Sequence, residues 1–280
     1  MTAQFQLVDV FGSGRFTGNP VAVVGDAQGI DDEEMMAITR WLNLSETTFL
    51  LPPDDPAADY KVRIFTLERE LPFAGHPTLG TCHAWLKGGG VPRDPARIVQ
   101  QCGLGLVPIR HSDDGFAFAA PPMLRSGPIA EDKVDEIAEV LRIDPARILA
   151  AEWVDNGPGW AGILLSSADE VLAVEPHRSH SSRIEIGIVG PHEEGSPVGW
   201  EVRAIFSGAH GELIEDPVTG SLNASLAQWL LGTGRARAPY LAAQGTALGR
   251  RGRVRVTQDD DGTIWIGGRC ETLFTGSRGF

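Results

Sequence analysis

The sequence predicts an α+β chain built from two similar halves, and three observations predict it. A short segment occurs twice: Glu70-Leu71-Pro72-Phe73-Ala74-Gly75-His76 and Glu215-Asp216-Pro217-Val218-Thr219-Gly220-Ser221 match at Glu, Pro and Gly with a constant offset of 145 (220 − 75). A β-like run precedes each copy, Tyr60 to Phe65 and Trp200 to Phe206, and a helix-like run of small and apolar residues follows, Pro77 to Leu86 and Leu222 to Leu230. Among 280 residues, 34 glycines and 19 prolines imply many tight turns and so many short strands, which argues against an all-helical fold.

The elements follow in order. Phe5 to Phe11, Val21 to Gly25, Thr47 to Leu51, Tyr60 to Phe65, Arg97 to Cys102 and Leu106 to Ile109 are β-branched or aromatic runs between turn residues, and read as strands. Asp31 caps a surface helix with Asp32, Glu33 and Glu34 in its first turn and Met35, Ile38 and Leu42 on its apolar side. The pattern breaks at Pro121-Pro122 and Ser126-Gly127-Pro128, after which Val134, Ile137, Ala138 and Leu141 mark a new amphipathic helix. The domain boundary is therefore expected near residue 121, giving domains 1–120 and 121–267. In the second half, strands are expected at Trp160 to Leu165 and Ile184 to Val189, with a helix at Ala168 to Val174. Arg253 to Val256, Asp261-Gly262 and Thr263 to Ile266 read as a hairpin. The last strand, Glu271 to Thr275, lacks a local partner, and residues 268–280 are expected to return to the first domain.

Composition narrows the function. A formal charge of −13 and a pI near 4.9 oppose a nucleic-acid surface. Cys82, Cys102 and Cys270 are widely spaced and read as free thiols of a reducing compartment. No apolar run approaches the roughly 18 residues of a membrane span, and Met1 to Gln6 lacks a signal pattern, so a cytoplasmic address without membrane association is expected. His177 and His180 form an HxxH without a third ligand, and neither a Rossmann GxGxxG nor a Walker loop is present, so no metal and no nucleotide cofactor are expected.

The repeat itself points to chemistry. A helix that opens on a glycine turn presents unpaired N–H groups and the positive end of its dipole, and so suits a carboxylate. Two such ends can grip one small acid.

Four segments carry a resemblance: Asp9-Val10-Phe11 with Gly18-Asn19-Pro20-Val21-Ala22-Val23-Val24, Asn43-Leu44-Ser45-Glu46-Thr47-Thr48-Phe49, Glu70 to Gly80, and Glu215 to Ser221. Together and in this order they resemble the phenazine-biosynthesis PhzF-like family, whose fold is that of diaminopimelate epimerase. The resemblance implies two similar domains, each a β-barrel-like sheet wrapped around a central α-helix, with a cleft between them into which both helix starts point. It implies a homodimer. It also implies a cofactor-independent isomerase that moves a proton between carbons of a small unsaturated carboxylic acid, with dihydro-hydroxyanthranilate as the best-known substrate.

In the two-thiol epimerases of this fold, a Cys stands just before the glycine of each copy. Here Ala74 and Thr219 hold those places, and neither is a carbon base. The resemblance makes Glu46 the proton-transferring carboxylate, whose pKa desolvation can raise toward neutrality. His76 and Asp216 match the family's histidine and aspartate, and Gly75, Gly220 and Ser221 are expected to offer donors to the substrate's carboxylate. A solvated Glu46, a capping His76 or Asp216, and plain turn glycines are the bland alternatives.

Leu67, Arg69 and Leu222-Asn223 depart from the family pattern and are expected at the pocket rim. A non-catalytic dimeric protein that binds a small acid, and a lyase that begins with the same proton abstraction, are the competing functions.

Overall fold

The computed structural model of the protein describes residues 5–95, 97–112 and 114–277. Residues 1–4, within the stretch lacking a signal pattern, and 278–280, at the end of the returning segment, lie outside the described residues. The chain divides into two compact units, the first running to Ala119 and resuming at Gly267, the second spanning Ala120–Ile266.

The first unit contains β1 (Phe5–Val10), β2 (Asn19–Val24), α1 (Asp32–Leu42), β3 (Glu46–Leu51), β4 (Tyr60–Thr66), β5 (Glu70–Leu71), α2 (Gly75–Lys87), β6 (Ile98–Cys102), β7 (Gly105–Ser112) and β8 (Gly115–Ala119). The second contains β9 (Arg125–Pro128), α3 (Glu131–Leu141), β10 (Ala150–Asp155), β11 (Ala161–Leu164), α4 (Ala168–Leu172), β12 (Glu185–Pro191), β13 (Trp200–Ser207), β14 (Leu213–Asp216), α5 (Gly220–Gly232), β15 (Tyr240–Gln244) and β16 (Gly252–Gln258). β17 (Ile264–Gly268) leads out of it, and β18 (Cys270–Gly276) pairs antiparallel with β1 of the first.

Strand pairing shows that the repeat covers far more than seven residues. β1–β2 is antiparallel, β2–β3 parallel, β3–β4 and β4–β5 antiparallel, β4–β6 parallel and β6–β7 antiparallel. The series β10–β11, β11–β12, β12–β13, β13–β14, β13–β15 and β15–β16 runs through the same senses in the same order. The two glutamates that open the repeated segment are also explained. Glu70 takes a bidentate hydrogen bond from Arg63, at 2.8 and 2.6 Å, and Glu215 takes the same pair from Arg203, at 3.0 and 2.8 Å. Each pair ties the short strand before the central helix to its neighbour.

The two central helices, α2 and α5, each have 13 residues and are enclosed. Every residue from Gly75 to Ala84 is buried, because β1, β2, β3, β6, β8 and β18 surround α2. A side chain at Gly80 has no room there: its Cβ would lie 2.4 Å from Val21 Cγ1 and 2.9 Å from Val10 Cγ2. In the second unit the accommodation is reversed. Leu222 of α5 fills the space left by Gly187, whose Cβ would lie 2.3 Å from Leu222 Cδ1.

Outer helices cover the opposite sheet faces. Asp31 caps α1 by accepting the Glu34 N–H at 2.9 Å, and Met35 packs with Val24, Phe49 and Phe65. In the second unit Ile137, Val140 and Leu141 of α3 and Val171 of α4 join Ile163, Ile186 and Ile188. Among the described residues no helix is long and apolar enough to cross a membrane.

Candidate active site

Glu46 and His76 come together at the start of α2. Thr48 shows why. The Thr81 hydroxyl of α2 donates to Thr48 Oγ1 at 2.8 Å, so this face of β3 is turned to the central helix. Side chains two apart on a strand share a face, so Glu46 faces α2 as well. Two strand residues cover about 6.7 Å, and the five helical residues from Thr81 back to His76 cover about 7.5 Å. The steps match, and Glu46 Oε2 lies 3.4 Å from His76 Nε2.

The two groups differ in exposure. The His76 side chain is 4 % exposed and that of Glu46 is 17 % exposed, so the carboxylate has more access to solvent than the imidazole. Burial pushes the His76 pKa down to about 3, opposed by a hydrogen bond to the Pro20 backbone carbonyl, so the ring is neutral at ordinary pH. Asn19 Nδ2 approaches His76 Nδ1 at 3.4 Å.

Both central helices begin without a side-chain cap, unlike α1, capped by Asp31, and α4, capped by Ser167. In α2 the first helical bond is Thr78 N–H to the Ala74 carbonyl at 3.1 Å, so the N–H groups of Gly75 and His76 precede the ladder. In α5 the first such bond is Asn223 N–H to the Thr219 carbonyl at 3.0 Å, which leaves Gly220 and Ser221 in the same position.

Asp216, Gly220 and Ser221 lie together at the start of α5. The Thr219 hydroxyl does not cap its helix but donates to Asp216 Oδ2 at 2.5 Å. Gln244 fixes the turn: its Oε1 accepts from Thr219 N–H at 2.9 Å and Asn223 Nδ2 at 2.7 Å, and its Nε2 donates to Thr219 Oγ1 at 2.9 Å. Trp160 Nε1 donates to Ser221 Oγ at 3.3 Å, and Asn156 Nδ2 to the Ser221 carbonyl at 2.9 Å. Glu46, His76 and Gly75 thus belong to the first unit, and Asp216, Gly220 and Ser221 to the second.

A family model described as phenazine biosynthesis-like protein matches residues 8–276. The chain belongs to this PhzF-like family. A relative from Schizosaccharomyces pombe named antisense-enhancing sequence 1 is 32% identical over 97% of each chain. A Pseudomonas fluorescens relative named trans-2,3-dihydro-3-hydroxyanthranilate isomerase is 34% identical over 88% of this chain and 87% of its own. The solved PhzF-family protein of Bacillus anthracis superposes with a TM-score of 0.81 at 22% identity over 98% of each chain, a likeness of fold. The protein is an enzyme, an isomerase of the PhzF type.

One expectation about this PhzF-like chain is corrected. Leu222 and Asn223 do not line a rim: they are 0% and 2% exposed, one packed on Gly187 and the other bonded to Gln244. The counterpart of Asn223 in the repeat, Thr78, is held in the same way by a buried glutamine, Gln100 Nε2, at 3.0 Å. Leu67 and Arg69 are exposed.

Two further residues, Asn19 and Asp9, support His76 although neither carries a signal of its own in the sequence. Asn19 stands in the Gly-Asn-Pro segment that carried the resemblance, yet its contact with His76 became visible only once β2 lay beside α2. Asp9 supports it from below: its carboxylate accepts the N–H groups of Thr17 and Gly18 at 3.1 and 2.9 Å. Gly18 tolerates no side chain, since a Cβ would lie 2.1 Å from the Val10 carbonyl oxygen. His180, half of the HxxH, bonds Glu136 at 2.8 Å.

Proposed function

We propose that the protein is a cofactor-independent isomerase in which Glu46 moves a proton between two carbons of a small unsaturated carboxylic acid of the dihydro-hydroxyanthranilate type. The observation that carries this reading is the placement of Glu46 Oε2 3.4 Å from a buried, neutral His76 beside the first turn of an uncapped helix.

In this reading the ionised Glu46 takes a proton from a carbon conjugated with the substrate's carboxylate. The electron pair of the C–H bond spreads into the conjugated system, and the carboxylic acid form of Glu46 returns the proton at another carbon. No electrons are lost and no group leaves. The N–H groups of Gly75 and His76 are suited to the negative charge that develops on the acid. His76, being neutral, acts as a hydrogen-bond partner rather than as a counter-ion. Within the second unit, Asp216, Gly220 and Ser221 at the start of α5 are proposed as groups suited to a carboxylate or hydroxyl. The substrate type is carried over from the Pseudomonas fluorescens relative's name and from the chemistry of a carboxylate base.

The test is product analysis with a set of cyclic and linear unsaturated acids. A product of unchanged mass with a displaced double bond, seen by mass spectrometry and NMR, is expected. A product lighter by one water makes the enzyme a lyase, and tight binding without any conversion makes it a binding protein.

A further inference from the structure

The turn between β4 and β5 carries a cation that the proposed chemistry leaves unused. Glu46 is directly opposite Thr66 in the β3–β4 register. Thr66 closes the turn by donating its N–H to the Arg69 carbonyl at 2.9 Å, one step beyond the Phe65–Glu70 pair. Residues directly opposite in antiparallel strands project to the same side of the sheet.

Two rows fix which side this is. Thr48, Ile64 and Leu71 form the neighbouring row, and Thr48 is bonded to Thr81 of α2. On the other face, Arg63 donates to Glu70 and also to Asp32 of α1. Glu46, Thr66 and Arg69 are therefore one row on the α2 side, at the strand ends beside His76. Two strand spacings of about 4.8 Å separate the backbones of Glu46 and Arg69, so one ligand of a few ångströms can touch both side chains.

Arg69 is exposed, and its guanidinium has no acceptor or ion-pair partner among the described residues. Its neighbours are used: Arg63 is held by Asp32 and Glu70, and Arg40 donates to the Leu67 carbonyl from the opposite side of the same turn. A chain of formal charge −13 has acidic groups in excess, so a cation left unpaired in the same row as Glu46 is available to a ligand.

We infer that Arg69 is a specificity-determining residue that binds a second carboxylate of the substrate, so that the acid turned over by this enzyme is a dianion. The planar guanidinium fork matches a carboxylate in bidentate fashion, and an ammonium does so less well. The inference rests on the reading of Glu46 as the proton-transferring group at the start of α2, and it adds the charge of the substrate to that reading.

Calorimetric binding of two non-reacting ring acids, benzoate and benzene-1,3-dicarboxylate, tests it on the whole protein. The native protein is expected to bind the diacid at least about tenfold more tightly, a charge-assisted contact's worth. Arg69→Gln is expected to erase that ratio and Arg69→Lys to keep part of it. Arg40→Gln, which loosens the same turn from its other side, is expected to retain it.

Equal affinities in the native protein, a preference that survives Arg69→Gln, an equal loss in Arg40→Gln, or failure to bind either acid would overturn the inference. Because binding is read without turnover, Glu46→Gln separates the two claims. If the diacid preference depends on Arg69 but no acid is ever isomerised, the proposed catalysis falls and Arg69 remains a carboxylate-binding residue without a role in turnover.

Discussion

Glu46 Oε2 and His76 Nε2 lie 3.4 Å apart where the beginning of β3 meets the beginning of α2, a half-buried carboxylate against a buried imidazole. Burial holds the His76 pKa near 3, so this is a contact between a carboxyl group and a neutral ring. An NMR titration is expected to show no protonation of His76 between pH 8 and 5, and the pH–rate profile is expected to lack a break that His76→Gln removes. A His76 resonance titrating near 6.5 would contradict this.

The same burial makes the fold acid-sensitive. His76 and His83 have folded pKa values of about 3 and about 4, both below the roughly 6.5 of an unfolded chain. Desolvation is the first cause for each, with the Lys87 charge adding to it at His83. A depressed folded pKa contributes stability that is fully present above pH 6.5 and is lost as pH falls toward the folded value. The melting temperature is therefore expected to decline from pH 6.5 to pH 4, and His83→Gln to flatten part of that slope. An unchanged slope in the variant would show that His83 is not a source of it.

The duplicated arginine–glutamate pairs are expected to differ in worth. Arg203 and Glu215 are 5% and 11% exposed, and Arg203 Nη1 also donates to the Val171 and Val174 carbonyls at 3.1 and 2.6 Å. Arg63 and Glu70 are 22% and 41% exposed. Removing one partner of a buried pair strands the other, so Arg203→Ala is expected to cost about 3–5 kcal/mol in urea unfolding. Arg63→Ala is expected to cost about 1 kcal/mol or less. Similar losses at both sites would contradict the burial argument.

Much of this architecture is legible in the sequence because it rests on local signals. Asp31 with three acids behind it marks α1, Asp261-Gly262 marks the last hairpin, and the two Glu-x-Pro-x-x-Gly segments mark the central helices. What escaped reading depends on partners distant in sequence. The stretch from Glu271 to Thr275 is expected to return to the first domain, but nothing in it names β1 as its partner, and Asn19 says nothing of His76, 57 positions away, until two strands and a helix are packed. Leu222-Asn223 read as rim residues in sequence because they directly follow the repeated turn. Their burial follows from Gly187 and Gln244, neither of which stands out in sequence.

Gly80 tests the enclosed helix. Alanine is the better helix former by about 1 kcal/mol, but its Cβ would meet Val21 and Val10. Gly80→Ala is therefore expected to lower stability by about 1–3 kcal/mol, as overpacking does. A stabilised variant would mean that the strands around α2 can give way.

Asn19→Ala is expected to slow isomerisation about 10- to 100-fold, since it removes the amide beside His76 Nδ1 and leaves the Asp9 bonds to the preceding loop in place. A loss of stability without a fall in rate would make Asn19 a packing residue instead.

Deuterium incorporation at substrate carbon in heavy water measures the central claim most directly. The native protein is expected to exchange the migrating hydrogen with solvent, and Glu46→Gln, folded by circular dichroism, to lose about 10²–10⁴-fold of that rate. Exchange that continues at the native rate in Glu46→Gln would place the proton transfer on another group and contradict the account.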